Sequence, residues 1–237
     1  MSRLNRSAAT LLACALILPV AACAGKKAPA DTEYVARDVN TLYALAKSRM
    51  DQRRYEESAK LFDEVERQHP YSVWARRAQL MSAFSYYMAQ KYPEAVSSSQ
   101  RFLTIHPGNK DAPYAHYLIA MSYYQQIEDV TRDQKITQQA ADAFGEFTDV
   151  KVGFLHGHSR RVAELAATAA RAIGCSREEI AQVRTAGFLH DVGRVAVPNG
   201  IWEKPAALNA GERERVRLHV AFAPDVLEPH LVEPLDQ

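Results

Sequence analysis

From Asp38 to about Ala143 the apolar positions return in one pattern every 37 residues. Tyr43, Leu80 and Tyr117 form one column, Ala46, Ala83 and Ala120 a second, and Ser48, Ser85 and Ser122 a third. Tyr55 recurs as Tyr92, Pro70 as Pro107, and the pair Tyr86-Tyr87 as Tyr123-Tyr124. Within a unit the apolar residues fall three and four apart, which puts them on one helical face. Leu42, Tyr43, Leu45, Ala46 and Met50 predict a first helix. Ala59, Leu61, Phe62 and Val65 predict a second that stops before Pro70. Each unit is thus a helical hairpin in which the small alanine column lets neighbouring helices approach while aromatic rings fill the gap. Stacked hairpins of this kind make a tetratricopeptide-like solenoid, with units slightly longer than the usual ~34 residues and a concave side suited to an extended peptide. The tyrosine pairs read as core packing, and the peptide-groove residues remain unknown at this level.

After Gln139 the repeat does not return. Val162, Leu165, Ala166, Ala169 and Ile173 predict the buried stripe of a helix ending at Gly174. Ser176 with Glu179 predicts a capping box opening the next helix, which carries Ile180, Val183 and Phe188 toward His190, and Asn209 with Glu212 opens a third. The changeover lies between about Ile136 and Phe147, inside one amphipathic helix whose Ile136, Ala140, Ala143, Phe144 and Phe147 keep a single apolar stripe. The expected fold class is all-α: a hairpin solenoid over residues 38–143, a second helical segment over 144–222 and an irregular tail over 223–237. The second segment must cover Tyr117, Ile119 and Tyr123, because an uncapped solenoid exposes an apolar end.

The chain opens with Arg3 and Arg6, an apolar run from Ala8 to Ala22, then Cys23. That is an export signal over residues 1–22, its apolar stretch too short to span a bilayer comfortably. Val20-Ala21-Ala22-Cys23 resembles a bacterial lipobox, which implies cleavage before Cys23, acylation of that residue and a lipidated linker over 23–37. Several acyl chains on one residue hold a protein firmly where a single chain holds marginally. Ala24, where lipoproteins kept in the inner membrane often have Asp, directs the expectation to the outer membrane, facing the periplasm. With Cys14 removed and Cys23 acylated, Cys175 has no intramolecular partner. The 29 Lys and Arg nearly cancel the 28 Asp and Glu, so no bulk field favours nucleic acid, which is excluded as a partner.

His158 heads the first helix of the back half, His190-Asp191 closes the second and His219 ends the third, so three helix ends can converge on one ion. Imidazole and carboxylate suit iron, manganese or zinc, and an Asp can bridge two ions ~4 Å apart that activate a water against a phosphate. These residues resemble the HD phosphohydrolase superfamily, and VPNGIWEKPAALN is similar to its HD-GYP branch, whose members hydrolyse cyclic dinucleotides. The resemblance covers about residues 143–222. It implies that His158 in HSRRVAELA is the first metal ligand, His190 and Asp191 the signature pair, and His219 in VRLH the next ligand. Arg194 stands where the branch has a phosphate-side Lys; it keeps the charge and bidentate binding but cannot give up a proton. The branch would continue with a His-His-Glu segment and a Gly-Tyr-Pro loop, whereas this chain reads EPHLVEPLDQ, and His230 between Pro229 and Pro234 is not expected to substitute. Pro224 falls where the resemblance implies that the last helix runs on, and there it is expected to kink that helix by removing an amide donor. A mononuclear iron, manganese or other divalent site is therefore conceivable, and a binuclear one is not supported.

The front half resembles the BamD family, the lipoproteins of the outer-membrane β-barrel assembly machinery. YEESAKLF, HPYS, HPGNKDAPYAHYLIAMSYY and DVTRDQ carry the likeness, which covers roughly residues 32–143. The resemblance implies N-terminal repeats that engage unfolded barrel proteins and C-terminal repeats that dock on the large barrel subunit. About two and a half to three of the family's five repeats are kept, so the docking end is expected to be absent. The leading functional expectation is a lipid-anchored scaffold for nascent barrel proteins in the assembly complex, without a cofactor in its repeat half, and with an inactive HD fragment as a passive cap. A metal-dependent cyclic-dinucleotide phosphodiesterase is one alternative, although its substrates are cytoplasmic. The other is a chimeric or misassembled sequence with neither activity complete.

Overall fold

Residues 38–128 and 134–227 are described by the computed structural model, so the leader, Cys23, most of DVTRDQ and His230 lie outside the described residues. The first hairpin is α1 (Val39–Asp51) with α2 (Tyr55–Gln68), and the second is α3 (Val73–Met88) with α4 (Tyr92–Ile105). A third pair joins α5 (Ala112–Tyr124) to α6 (Gln134–Lys151). The predicted period is written into the backbone too. Arg53 and Gln90, one repeat apart, both adopt φ 59, and their amides donate to Met50 O at 2.8 Å and Tyr87 O at 2.9 Å. His69 and His106 end the second helices at φ −133 and −130. Asp38 and Ser72 cap α1 and α3 by accepting from the amides of Thr41 and Ala75.

Ala46, Ala83 and Ala120 are fully enclosed, and Phe62, Phe102, Phe144, Leu118 and Met121 fill the space that the small column leaves. Ser58 satisfies its hydroxyl on Ala46 O at 2.9 Å, so this polar group enters the core without an unmet donor. Asp63 gathers three donors from α3 and α4: Ser82 Oγ donates to it at 2.6 Å, the Tyr86 hydroxyl at 2.8 Å and Arg101 at 3.2 Å. Tyr86 therefore uses its ring as packing and its hydroxyl as a tie.

α6 has two buried faces. Phe147 meets Tyr117 with ring centroids 5.2 Å apart and Phe144 meets Tyr124 at 6.3 Å, closing the solenoid, while Ala141 packs with Ala163 and Phe188 behind it. Of the three residues expected to be covered, Tyr117 and Ile119 are thereby buried and Tyr123 is half-buried. One apolar cluster runs from Leu42 through Phe144 and Phe147 to Val192 and Val226.

Behind α6 come α7 (His158–Ala172), α8 (Arg177–Leu189), a 3-10 turn (Val192–Ala196), α9 (Asn199–Trp202), α10 (Ala210–Arg217), a second 3-10 turn (Leu218–Phe222) and α11 (Ala223–Val226). Both predicted capping boxes form, at Ser176/Glu179 and Asn209/Glu212. α7 ends through Gly174 at φ 84, a left-handed position glycine takes without strain, with Cys175 N donating to Ala170 O.

Two expectations are corrected. The buried stripe of α7 is Ser159, Ala163, Ala167 and Ala170, whereas Leu165 is 70% and Ile173 81% exposed. α8 crosses too closely for large side chains: a Cβ on Gly187 would lie 2.6 Å from Ala163 Cα. Pro224 kinks no continuing helix, because α10 has already tightened into the 3-10 turn after Arg217, and the proline sits in the first turn of α11, where no amide is needed. Order thus continues past residue 223, with Val226 in the core. Among the described residues no helix is long and apolar enough to cross a membrane.

Candidate metal centre

The three helix ends do converge. α7 starts at His158 behind Gly157, which takes φ 67. α8 ends on His190, with Asp191 immediately after it. His219 arrives on the second 3-10 turn because Gly193 lets that turn approach: a Cβ at Gly193 would stand 1.8 Å from His219 O. Any side chain there would push the turn away.

Asp191 is the hub, 3% exposed. Its Oδ2 lies 3.4 Å from His158 Nε2 and 3.2 Å from His190 Nε2, which are themselves 3.3 Å apart. Its Oδ1 lies 3.4 Å from His219 Nε2 and 2.9 Å from Arg194 Nε. Each oxygen thus has its own company, with imidazoles alone around Oδ2 and a guanidinium beside Oδ1.

Backbone carbonyls set two of the tautomers. Gly187 O accepts from His190 Nδ1 at 2.7 Å and Val216 O from His219 Nδ1 at 2.7 Å. A carbonyl can only accept, so both Nδ1 atoms carry a proton and both Nε2 atoms are turned toward Asp191. Buried Asp191 Oδ2 makes no hydrogen bond. A buried carboxylate oxygen facing two imidazole nitrogens at 3.2 and 3.4 Å is an arrangement that a shared cation fits. His158, His190 and Asp191 each offer one ligand atom, all within 4.8 Å of one another, and this donor set fits a divalent ion.

Arg194 is doubly held. Its guanidinium lies 5.3 Å over the Trp202 ring, and Trp202 Nε1 donates to Arg194 O at 3.2 Å. The Arg194 Nε contact to Asp191 is off the donor axis and acts as a charge contact, so this cation partly neutralises the hub on the His219 side.

All five residues read from the sequence are therefore brought together. What the sequence reading missed is the support: Gly187, Gly193, Trp202 and the pair Asp149–Ser159. Asp149, 3% exposed on α6, accepts from Ser159 N at 3.1 and 3.2 Å and from Ser159 Oγ at 2.7 Å. Arg160 on α7 also reaches α6, pairing with Asp142 at 3.0 Å and Glu146 at 2.5 Å. In the repeat half a cleft of about 380 Å³ opens beside the two interhelical loops, lined by Val73, Trp74, Leu80 and Met81 with Arg76 and Lys110 at its side. Its sequence signal is the recurring His-Pro loop, HPYS and HPGNKD.

A family model described as YfiO, outer membrane lipoprotein, matches residues 35–154, and one described as HD domain matches residues 155–234. The outer membrane protein assembly factor BamD of Caulobacter vibrioides is 44% identical over 139 residues, 59% of this chain and 46% of that protein. The factor of the same name in Rickettsia prowazekii is 35% identical over 142 residues, 60% of this chain and 55% of that protein. The 3′3′-cGAMP-specific phosphodiesterase 3 of Vibrio cholerae is 36% identical over 85 residues, 36% of this chain and 18% of that protein. Both resemblances read from the sequence are thus found, and the chain spans about half the length of the assembly factors it matches.

Proposed function

The chain belongs to the YfiO family of outer membrane lipoproteins, and from that premise we propose that its repeat half is a scaffold for unfolded β-barrel proteins, tethered through acylated Cys23 to the periplasmic face of the outer membrane. The HD half then serves as the closure of the solenoid. The supporting observation is the cleft: Trp74, Leu80 and Met81 offer an apolar floor, and at the rim Arg76, Arg77 and Lys110 outnumber Asp111, a combination that suits a peptide ending in an aromatic residue and a free carboxylate. We take the working halves as residues 38–143 and 144–222, with α6 common to both. Labelled palmitate should enter the protein and fail to enter Cys23→Ala. A peptide ending in Phe should bind the full chain and lose affinity about tenfold or more in Arg76→Glu/Lys110→Glu, the order of one to two charge-assisted contacts. No change in peptide fluorescence anisotropy at high protein concentration would overturn the reading.

The gathering of His158 and His190 nitrogens about buried Asp191 Oδ2 favours a second activity, metal-dependent phosphohydrolysis in the HD half. His158, His190 and Asp191 would hold one iron or manganese ion, with His219 as the next ligand. When bound, that ion would supply Lewis acidity and an activated water. The chain's own groups supply the rest: the carbonyls of Gly187 and Val216 keep two imidazoles in the binding tautomer, and Arg194 offers a permanent cation to a phosphate but no proton. Iron or manganese should co-purify anaerobically and be lost in Asp191→Ala. A metal-free wild-type protein would remove this reading.

A further inference from the structure

α7 begins without a cap of its own. Gly157 stands at the N-cap with no side chain, and no side-chain hydrogen bond from that position closes the first turn. Free amides at a helix start need an acceptor, and a carboxylate there also meets the positive end of the helix dipole. The acceptor comes from another helix. Asp149, near the end of α6, takes both Ser159 N and Ser159 Oγ. Among the described residues, the hydrogen bonds made by this buried carboxylate all go to Ser159, the residue directly after His158.

The helix crossing fixes where that cap can reach. Gly145, one turn before Asp149 on α6, lies where a Cβ would meet Ser159 Cβ at 3.0 Å and Phe188 at 3.2 Å. On the other side Gly187 presses on Ala163, one turn along α7. The first turn of α7 is thus clamped between α6 and α8, and the imidazole it carries stands 3.3 Å from that of His190. We propose that Asp149 is the positioning residue of the metal centre: from the last helix of the solenoid it caps α7, and through Ser159 it holds His158 in place to ligate. The proposal rests on the metal reading of the HD half. It makes the centre depend on a group that lies inside the YfiO match and outside the HD match.

Asp149→Asn keeps size but puts an amide where two donors need a carboxylate, and Ser159→Ala removes the hydroxyl bond while leaving the backbone one. The test is Co²⁺ titration of the detergent-solubilised full chain, followed by visible absorption, with apo melting measured in parallel. Asp149→Asn should weaken Co²⁺ binding about tenfold or more, the range for residues behind a ligand, and alter the absorption bands. Ser159→Ala should move both in the same direction by less. Asp142→Asn, which loosens the same helix pair through Arg160 without touching Ser159, should leave both unchanged. If Asp149→Asn and Ser159→Ala lower only the melting temperature and keep wild-type affinity and bands, Asp149 is structural and the proposal fails. If the unaltered protein binds no Co²⁺, the metal reading fails and takes this proposal with it.

Discussion

The two halves of this chain reach order by different routes. In the solenoid the enclosed side chains are large: Phe62, Phe102, Leu42, Leu80, Met81, Leu118 and Met121 are all shut from water. Among the described residues beyond α6 the fully enclosed large side chains are Val192 and Val197, and α9 and α10 bury no residue at all. The back half is assembled instead from small-residue crossings at Gly145, Gly187 and Gly193, from capping boxes, and from two valines, Val192 and Val226, inserted in the common core. A repeat that stacks on copies of itself can rely on apolar area; a segment that gathers ligands into a cluster relies on close backbone approach, which area does not measure.

Trp74 in front and Trp202 behind report on the two halves separately, and single-tryptophan variants can break or sharpen the contrast. Phe144→Ala should have the largest effect, about 3–5 kcal/mol, because this ring is 1% exposed in the helix that both halves share; both reporters should melt earlier and together. Two separated transitions would show that the core is less continuous than its contacts. Gly193→Ala comes next, at about 1–3 kcal/mol for an overpacked site. The methyl must displace the turn carrying His219, so metal retention should fall while the Trp74 transition hardly moves. Asn209→Ala should remove about 1 kcal/mol with the lost cap, seen at Trp202 in chemical denaturation.

The smallest effect concerns acid. Burial holds the His116 imidazole below its ordinary 6.5, so the fold prefers it neutral. Its contribution is intact above that value and is lost as pH falls through the lowered one. His116→Gln should therefore flatten the acid limb of the melting curve below about pH 6.5 without changing its neutral plateau; an unchanged limb would point to other groups.

The solenoid was legible because its rule is local and repeated. Ala46, Ala83 and Ala120 declare themselves by spacing, and the same spacing reappears in the φ of Arg53 and Gln90. The cluster His158, His190, Asp191, Arg194 and His219 was legible as residue types at helix ends. Its supports were not, since Asp149 meets Ser159 and Gly193 meets His219 through contacts that no period encodes. The α7 stripe misled for a physical reason as well: apolar periodicity marks the greasiest face, whereas a close crossing selects the smallest one, and Ala163 and Ala167 won over Leu165 and Ile173.

α6 has a practical consequence for anyone who would study the chain in pieces. A cut before residue 144 strips the lid from Tyr117 and removes Phe144 from the interior, and a cut after Lys151 leaves α7 without its distant cap. Neither fragment inherits a finished surface, so subcloned halves would report on damage, and point substitutions in the intact polypeptide are the sounder dissecting tool.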